Sequence, residues 1–408
     1  MNSAITGNSI LDFVLIQTMS IYYQSDAALR IIKNSEDQDI KVFAMPPVIA
    51  WYNKAASAFL KNIIKNREPS IKTTGYSIQT FSRLYNVLSA YDSKAAYFSS
   101  FSPSQIKSMT ALQLQFCLEY LEKNICSPGE QSAVLEGGSY FLDTFYSDEE
   151  FSNYISVLQG IHSKLHEIDL SIVNTMDLAS VLRGISAWLR YTHFNQKSDF
   201  LSSLALEILN RRSRTGLFCL YPNEYVLAAR GQQFFILDSL LQSYPFIQLD
   251  HVLEESFLVF NILFRLSYKD NIKLFAFTGR KISYTAFDVG ALLSCLSNVS
   301  HYVTNEYSHE KSLNEILNRF VELLLESYYS THKKDIKMLL KRISLSNKIK
   351  TKLNMQLKTN TVFPKRIYLT YPYLEFNWGQ KGIIDQTGIF FLCASMLSLI
   401  DNNNKIIK

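Results

Sequence analysis

Turn-forming residues are scarce in this 408-residue chain: there are fourteen glycines and nine prolines. So few turn formers leave little room for hairpins and argue against an all-β sandwich or barrel. The five cysteines (Cys117, Cys126, Cys219, Cys295 and Cys393) are odd in number and scattered, with no CxxC pair. That excludes a zinc ribbon or thioredoxin-like site and points away from a disulfide framework, toward a reducing compartment. Charged residues make up only 19% of the chain and apolar ones 47%, with net charge +5, which excludes a disordered or simple coiled-coil chain. Apolar runs are interrupted well short of the roughly 18 residues a membrane span needs. The N-terminal MNSAITGNSILDFVLIQTMS has no basic region before its apolar stretch and no small-residue cleavage site. A cytoplasmic protein is the expectation.

Nucleotide and nucleophile signatures are missing as well. There is no GxxxxGK[ST], GxGxxG or GxSxG, so no nucleotide partner and no cofactor is implied. His162 and His166 stand four apart in IHSKLHEID. A zinc peptidase needs HExxH with the glutamate between the histidines, and here Glu167 follows the second; no metal ligand set is implied.

What the chain does contain is helical periodicity. Apolar residues recur at three- and four-residue spacing over Ser9–Lys33, Val48–Lys65, Ile78–Tyr91, Ser104–Lys123, Ser132–Tyr146, Glu149–His166 and Met176–Tyr191. The pattern resumes at Asp199–Asn210, Glu224–Tyr244, Asp250–Leu266, Ala286–Val303, Ser312–Tyr329 and Gln386–Ile400. Breakers separate the periodic stretches, among them Pro46-Pro47, Ser127-Pro128-Gly129, Thr215-Gly216 and Tyr221-Pro222-Asn223. Strand-like alternation is confined to Lys273–Phe277 and Arg366–Tyr371. No linker divides the chain, so residues 1–408 read as one all-α domain with an irregular crossing near 360–384.

A weak repeat runs through the second half. Asp177 is followed by Leu178, Val181, Leu182, Ile185 and Trp188, and Asp288 by Val289, Leu292, Leu293, Leu296 and Val299 at the same spacing. Asp385 follows more loosely with Ile389, Phe390, Cys393 and Met396. An aspartate at a helix start accepts unpaired amide hydrogens and complements the helix dipole. Repeated helical hairpins build either a closed toroid or an open right-handed solenoid. A toroid brings its first and last hairpins into contact, and a solenoid leaves them apart.

The segments DLASVLRGISAWLRYT (177–192), RRSRTGLFCLYPNE (211–224) and YTAFDVGALLSCL (284–296) resemble the hairpin units of alpha/alpha toroid proteins. These are the six-hairpin, glucoamylase-like glycosidases and, more distantly, the terpenoid cyclases. The resemblance implies an alpha/alpha toroid of about six helical hairpins. No DxDD or DDxxD run is present, so terpene cyclisation is not implied. Trp378-Gly379 lacks the zinc-binding cysteine of the lanthionine cyclases, and no Cys-His-Gly follows.

If the repeat helices form the inner ring, their starts line one mouth. Asp288 and Glu224 are then the expected acid and base of a carbohydrate hydrolase or lyase, with Asp177 and Asp385 as orienting groups. Trp188, Tyr221, Tyr284 and Trp378 are the expected sugar-stacking walls. The competing reading makes each aspartate a helix cap and Trp188 a packing residue.

Charge supplies a second line of reasoning. Between Lys333 and Arg366 stand eleven Lys/Arg and one acid, Asp335, which leaves the rest of the chain net acidic. Such a basic helical segment (332–366) binds anionic surfaces, nucleic acid or acidic proteins when its apolar side is exposed. The alternative function is therefore a non-catalytic scaffold that binds an anionic or protein partner through Lys341, Arg342, Lys348 and Lys350.

Overall fold

The computed structural model describes residues 70–90, 103–145, 151–192, 197–222, 226–267, 282–302, 366–370, 373–377 and 386–406, together with Val14, Leu317 and Val321. Ten α-helices account for most of them: α1 (Ile71–Ala90), α2 (Pro103–Lys123), α3 (Pro128–Phe145), α4 (Ser152–Leu165), α5 (Thr175–Tyr191), α6 (Asp199–Asn210), α7 (Arg230–Ser243), α8 (His251–Ser267), α9 (Ala286–Tyr302) and α10 (Gln386–Ile406). The expected helices at Ser9–Lys33, Val48–Lys65 and Ser312–Tyr329, like the basic segment 332–366, lie almost wholly outside the described residues.

Helix starts follow from cap chemistry. Ser127 Oγ accepts from the Glu130 amide, and Glu130 returns the bond by accepting from the Ser127 amide at 2.9 Å. This box with Pro128 at the first helical position starts α3 four residues before the apolar periodicity does. Asn174 caps α5, Ser198 caps α6, and Thr285 with Asp288 closes a reciprocal box on α9. Ser70 accepts from the Thr73 amide and starts α1 at Ile71 rather than Ile78. The periodicity is silent there because Thr73, Thr74 and Ser77 are polar yet fully buried. The helix expected from Glu224 begins instead at Arg230, because Leu227 pairs in an antiparallel bridge with Cys219.

Six helices pack side by side in a closed circuit: α1 on α3, α3 on α5, α5 on α7, α7 on α9, α9 on α10, and α10 back on α1. Their mutual contacts run in step along the chain. Gln79 meets Glu136 and Asn86 meets Thr144, while Gly231 meets Asp288 and Gln242 meets Ser294. All six therefore run parallel. Helices α2, α4, α6 and α8 pack outside this circuit: α2 on α1 and α3, α4 on α3 and α5, α6 on α5 and α8, and α8 on α7 and α6. The seam between α10 and α1 is closed by a 2.6 Å hydroxyl–hydroxyl bond between Thr73 and Thr387 and a 2.8 Å bond from Thr80 to the Phe390 carbonyl. Tyr76 meets Phe391 edge-on across the same seam.

Glycine sets how closely the ring helices approach. A Cβ on Gly75 would lie 2.5 Å from the Ala133 carbonyl oxygen, and one on Gly137 2.4 Å from the Gly75 carbonyl oxygen. Neither position has room for a side chain.

Three short strands form an antiparallel sheet in the order β1 (Ile282–Tyr284), β2 (Arg366–Thr370) and β3 (Tyr373–Asn377). Tyr284 pairs with Ile367, and Thr370 pairs with Tyr373. The strand expected at Arg366–Tyr371 is thus β2, whereas Lys273–Phe277 lies outside the described residues. β1 runs through Thr285 into α9, which puts the sheet beside the N-terminal end of that ring helix.

Candidate functional site

The aspartates of the repeat sit where the ring helices begin. Asp177 and Asp288 are each the third residue of their helix, α5 and α9. Asp177 accepts from Asn174 Nδ2 at 2.9 Å, and its own amide donates to Asn174 Oδ1. Asp288 accepts from the Thr285 amide at 2.8 Å, and burial pushes its carboxyl up against that bond. Both carboxylates press on a glycine near the start of the preceding ring helix, Asp177 on Gly129 and Asp288 on Gly231. A cap and a helix spacer are the roles these contacts define. α10 is described from Gln386 onward. Asp385 itself lies outside the described residues, as do Glu224, Trp378, Lys341, Arg342, Lys348 and Lys350.

The expected stacking residues divide. Trp188 is buried, in ring contact with His162 and Tyr191. Tyr221 is 44% exposed on the loop between α6 and α7. Tyr284 lies in β1, whose side chains are outside the description. The loop carrying Tyr221 turns at Gly216, whose φ of 81° suits glycine, and it crosses the start of α5. There Thr175 donates its hydroxyl to the Cys219 carbonyl at 2.6 Å. Gln233 of α7 pins the loop from the other side, accepting from the Phe218 amide and donating to the Phe218 and Ala228 carbonyls.

A cavity of about 300 Å³ opens inside the ring, lined by the later turns of α1, α3, α5, α7, α9 and α10. It lies toward the C-terminal ends of the ring helices, away from the two capping aspartates. Beneath it runs a polar belt. Gln79 of α1 donates to Glu136 of α3, and Glu136 is paired with Arg183 of α5 at 2.9 Å. Arg183 is also paired with Asp238 of α7, and Ser294 and Asn298 of α9 donate to Asp238 at 2.9 and 2.6 Å. Five of the six ring helices are joined in this way. Glu136, Arg183 and Asp238 are all buried, and the two carboxylates hold the Arg183 guanidinium firmly protonated. Phe235 and Phe391 each lie 5.3 Å from its centre, on the same side of it, with their own ring centres 5.5 Å apart.

Above the belt the lining is cationic. Arg83 donates to the Tyr140 hydroxyl at 2.6 Å and lies 4.4 Å from the centre of that ring. Arg190 donates to the Gln242 carbonyl at 3.4 Å. Burial pushes the Tyr140 phenol up, yet Arg83 and Arg190 outweigh it and bring the pKa below its ordinary value. Gln242, Ser297, Asn298, His301, Ser395 and Ser398 complete the polar wall, and Tyr302 and Phe391 add aromatic surface. Among the described residues no carboxylate lines the cavity.

None of these cavity groups was among the residues expected from sequence, although a signal exists. Val134-Leu135-Glu136-Gly137, Val181-Leu182-Arg183-Gly184, Ile236-Leu237-Asp238-Ser239 and Leu292-Leu293-Ser294-Cys295 share one pattern: two apolar residues, a polar one, then a small one. The polar member of each set belongs to the belt.

The two histidines pair with each other, Nε2 to Nε2 at 3.2 Å, and His166 stacks on Phe200. Burial and the neighbouring ring lower the His162 pKa to about 4. Among the described residues no group of three or more His, Cys, Asp or Glu is placed to hold a metal, and no helix is long and apolar enough to cross a membrane. No protein-family model matches the chain, and no curated protein matches it.

Proposed function

We propose that the chain is an alpha/alpha toroid of about six helical hairpins that takes a small, polar, sugar-like ligand into its ring. The supporting observation is the closed circuit of six parallel helices around a cavity of about 300 Å³ walled by serine, asparagine, glutamine and tyrosine. A polar wall with a few aromatic faces matches a polyhydroxylated molecule. Calorimetry with a panel of mono- and disaccharides tests this. Binding by at least one of them is expected, together with its loss in Ser398→Trp, which fills the cavity. A panel with no binder overturns the reading.

Hydrolase or lyase action on such a ligand is the catalytic form of the proposal. The described carboxylates are engaged elsewhere, Asp177 and Asp288 as caps and Glu136 and Asp238 with Arg183. Of the expected catalytic residues this leaves Glu224 and Asp385, which precede the starts of α7 and α10 in sequence, so turnover would take place at that mouth of the ring and not in the cavity. Release of reducing ends from the bound saccharide, abolished in Glu224→Gln and Asp385→Asn, is the expected result. Binding without turnover favours a non-catalytic role. The second reading, a scaffold holding an anionic partner through Lys341, Arg342, Lys348 and Lys350, draws its support from the local excess of eleven basic residues over one acid. It predicts salt-sensitive association that is lost when those four residues become Glu.

A further inference from the structure

We infer that the ligand of the ring cavity is an anion, a small molecule bearing a carboxylate or phosphate, held by Arg190 and Arg83 above the buried belt. This rests on the reading that the ring cavity is a ligand site, and it specifies the ligand's charge.

The three arginines of the lining are differently engaged. Arg183 is occupied by Glu136 and Asp238, with two phenyl rings beside its guanidinium. Arg83 is fixed over Tyr140. Arg190 makes one hydrogen bond, a long one to a neutral carbonyl, and forms no ion pair among the described residues. A guanidinium carries five donors in a planar fork that matches the two oxygens of a carboxylate or phosphate. Most of that fork on Arg190 is left for a ligand. The lowered pKa of Tyr140 shows the same positive field acting on a group in the cavity wall.

The floor adds a complementary requirement. Gln79 is 2% exposed, lines the cavity, and donates its amide nitrogen to Glu136. Its Oε1 is buried and accepts no hydrogen bond among the described residues. A buried acceptor left unmade is costly, and a ligand hydroxyl reaching the floor would satisfy it. The ligand is thus an oxyanion at the arginine end and a hydrogen-bond donor at the Gln79 end. A cation in the last turn of a helix complements the dipole, which would account for Arg190 alone. It does not account for the Gln79 oxygen.

The test is calorimetry on the full chain with glucose, glucuronate, glucose 6-phosphate and inorganic phosphate. At least one charged sugar should bind tenfold or more tightly than glucose, and added salt should weaken it. Arg190→Gln should lower that affinity tenfold or more and weaken glucose binding by less, and Arg190→Lys should restore part of the loss. Arg190 is exposed, so both variants should keep the wild-type melting temperature. The comparison of glucuronate with glucose 6-phosphate shows which oxyanion is preferred. Glucose binding as tightly as the charged sugars, or unchanged affinity in Arg190→Gln, overturns the inference and leaves the ring-ligand reading standing. Phosphate binding as tightly as glucose 6-phosphate supports the anion and removes the sugar. No binding by any of the four overturns both.

Discussion

Arg183 carries the largest stake of any single residue described. Its charge is buried between two carboxylates from two other helices, so removing it strands two like charges in the core. Breaking a buried pair by deleting one partner costs about 3–5 kcal/mol. Arg183→Met should lose about that much in urea denaturation, and the triple change with Glu136→Gln and Asp238→Asn should recover part of it. The paired histidines make a separate prediction. The folded pKa of His162 is lowered to about 4 from an ordinary value of 6.5, so between those values the unfolded chain binds more protons than the native one. The resulting stability is present above about pH 6.5 and lost as pH falls toward 4. Melting temperatures at pH 7 and 4.5 should differ more in the wild type than in His162→Gln.

At the scale of elements, the positions of most helices are legible in the sequence, because burial on one face imposes a three- and four-residue spacing. That reasoning fails where the buried face is polar. The first turns of α1 bury Thr73, Thr74 and Ser77, so the apolar pattern starts late. The aspartate repeat correctly marks helix starts at Asp177 and Asp288, but the same residue type serves a cap and a catalytic acid alike. Only their partners, Asn174, Thr285 and two glycines, separate the roles. The belt is hidden in the sequence for a different reason: its charges alternate in sign from helix to helix and look like isolated interruptions until the helices are laid side by side. Two glycine substitutions check the packing. Gly75→Ala forces a Cβ onto the Ala133 carbonyl and should cost about 1–3 kcal/mol. Gly160→Ala in α4 meets nothing within 4 Å and should stabilise by about 0.5–1 kcal/mol through helix propensity.

At the scale of the whole molecule, the ten described helices are legible in the sequence and closure is not. Nothing in a periodic pattern says that the last ring helix touches the first, since that contact joins residues 314 apart in sequence. The seam offers a direct check. Thr73→Cys with Thr387→Cys places two thiols where two hydroxyls lie 2.6 Å apart. Mild oxidation should link them, shift the denatured chain on a non-reducing gel and stabilise the fold by about 2–4 kcal/mol. An open solenoid would give no such link.

The join between α1 and α10 also governs when this protein is able to finish folding. Phe390 and Phe391 complete the apolar surroundings of Thr80, Tyr76 and Arg183, yet Phe390 follows Thr80 by 310 residues and emerges from the ribosome long after α1. Until then α1 lacks its partner across the seam and Arg183 lacks one of its two neighbouring rings. Contacts this distant in sequence slow folding and prolong the exposure of greasy surface, so the nascent chain should depend on chaperones until α10 arrives.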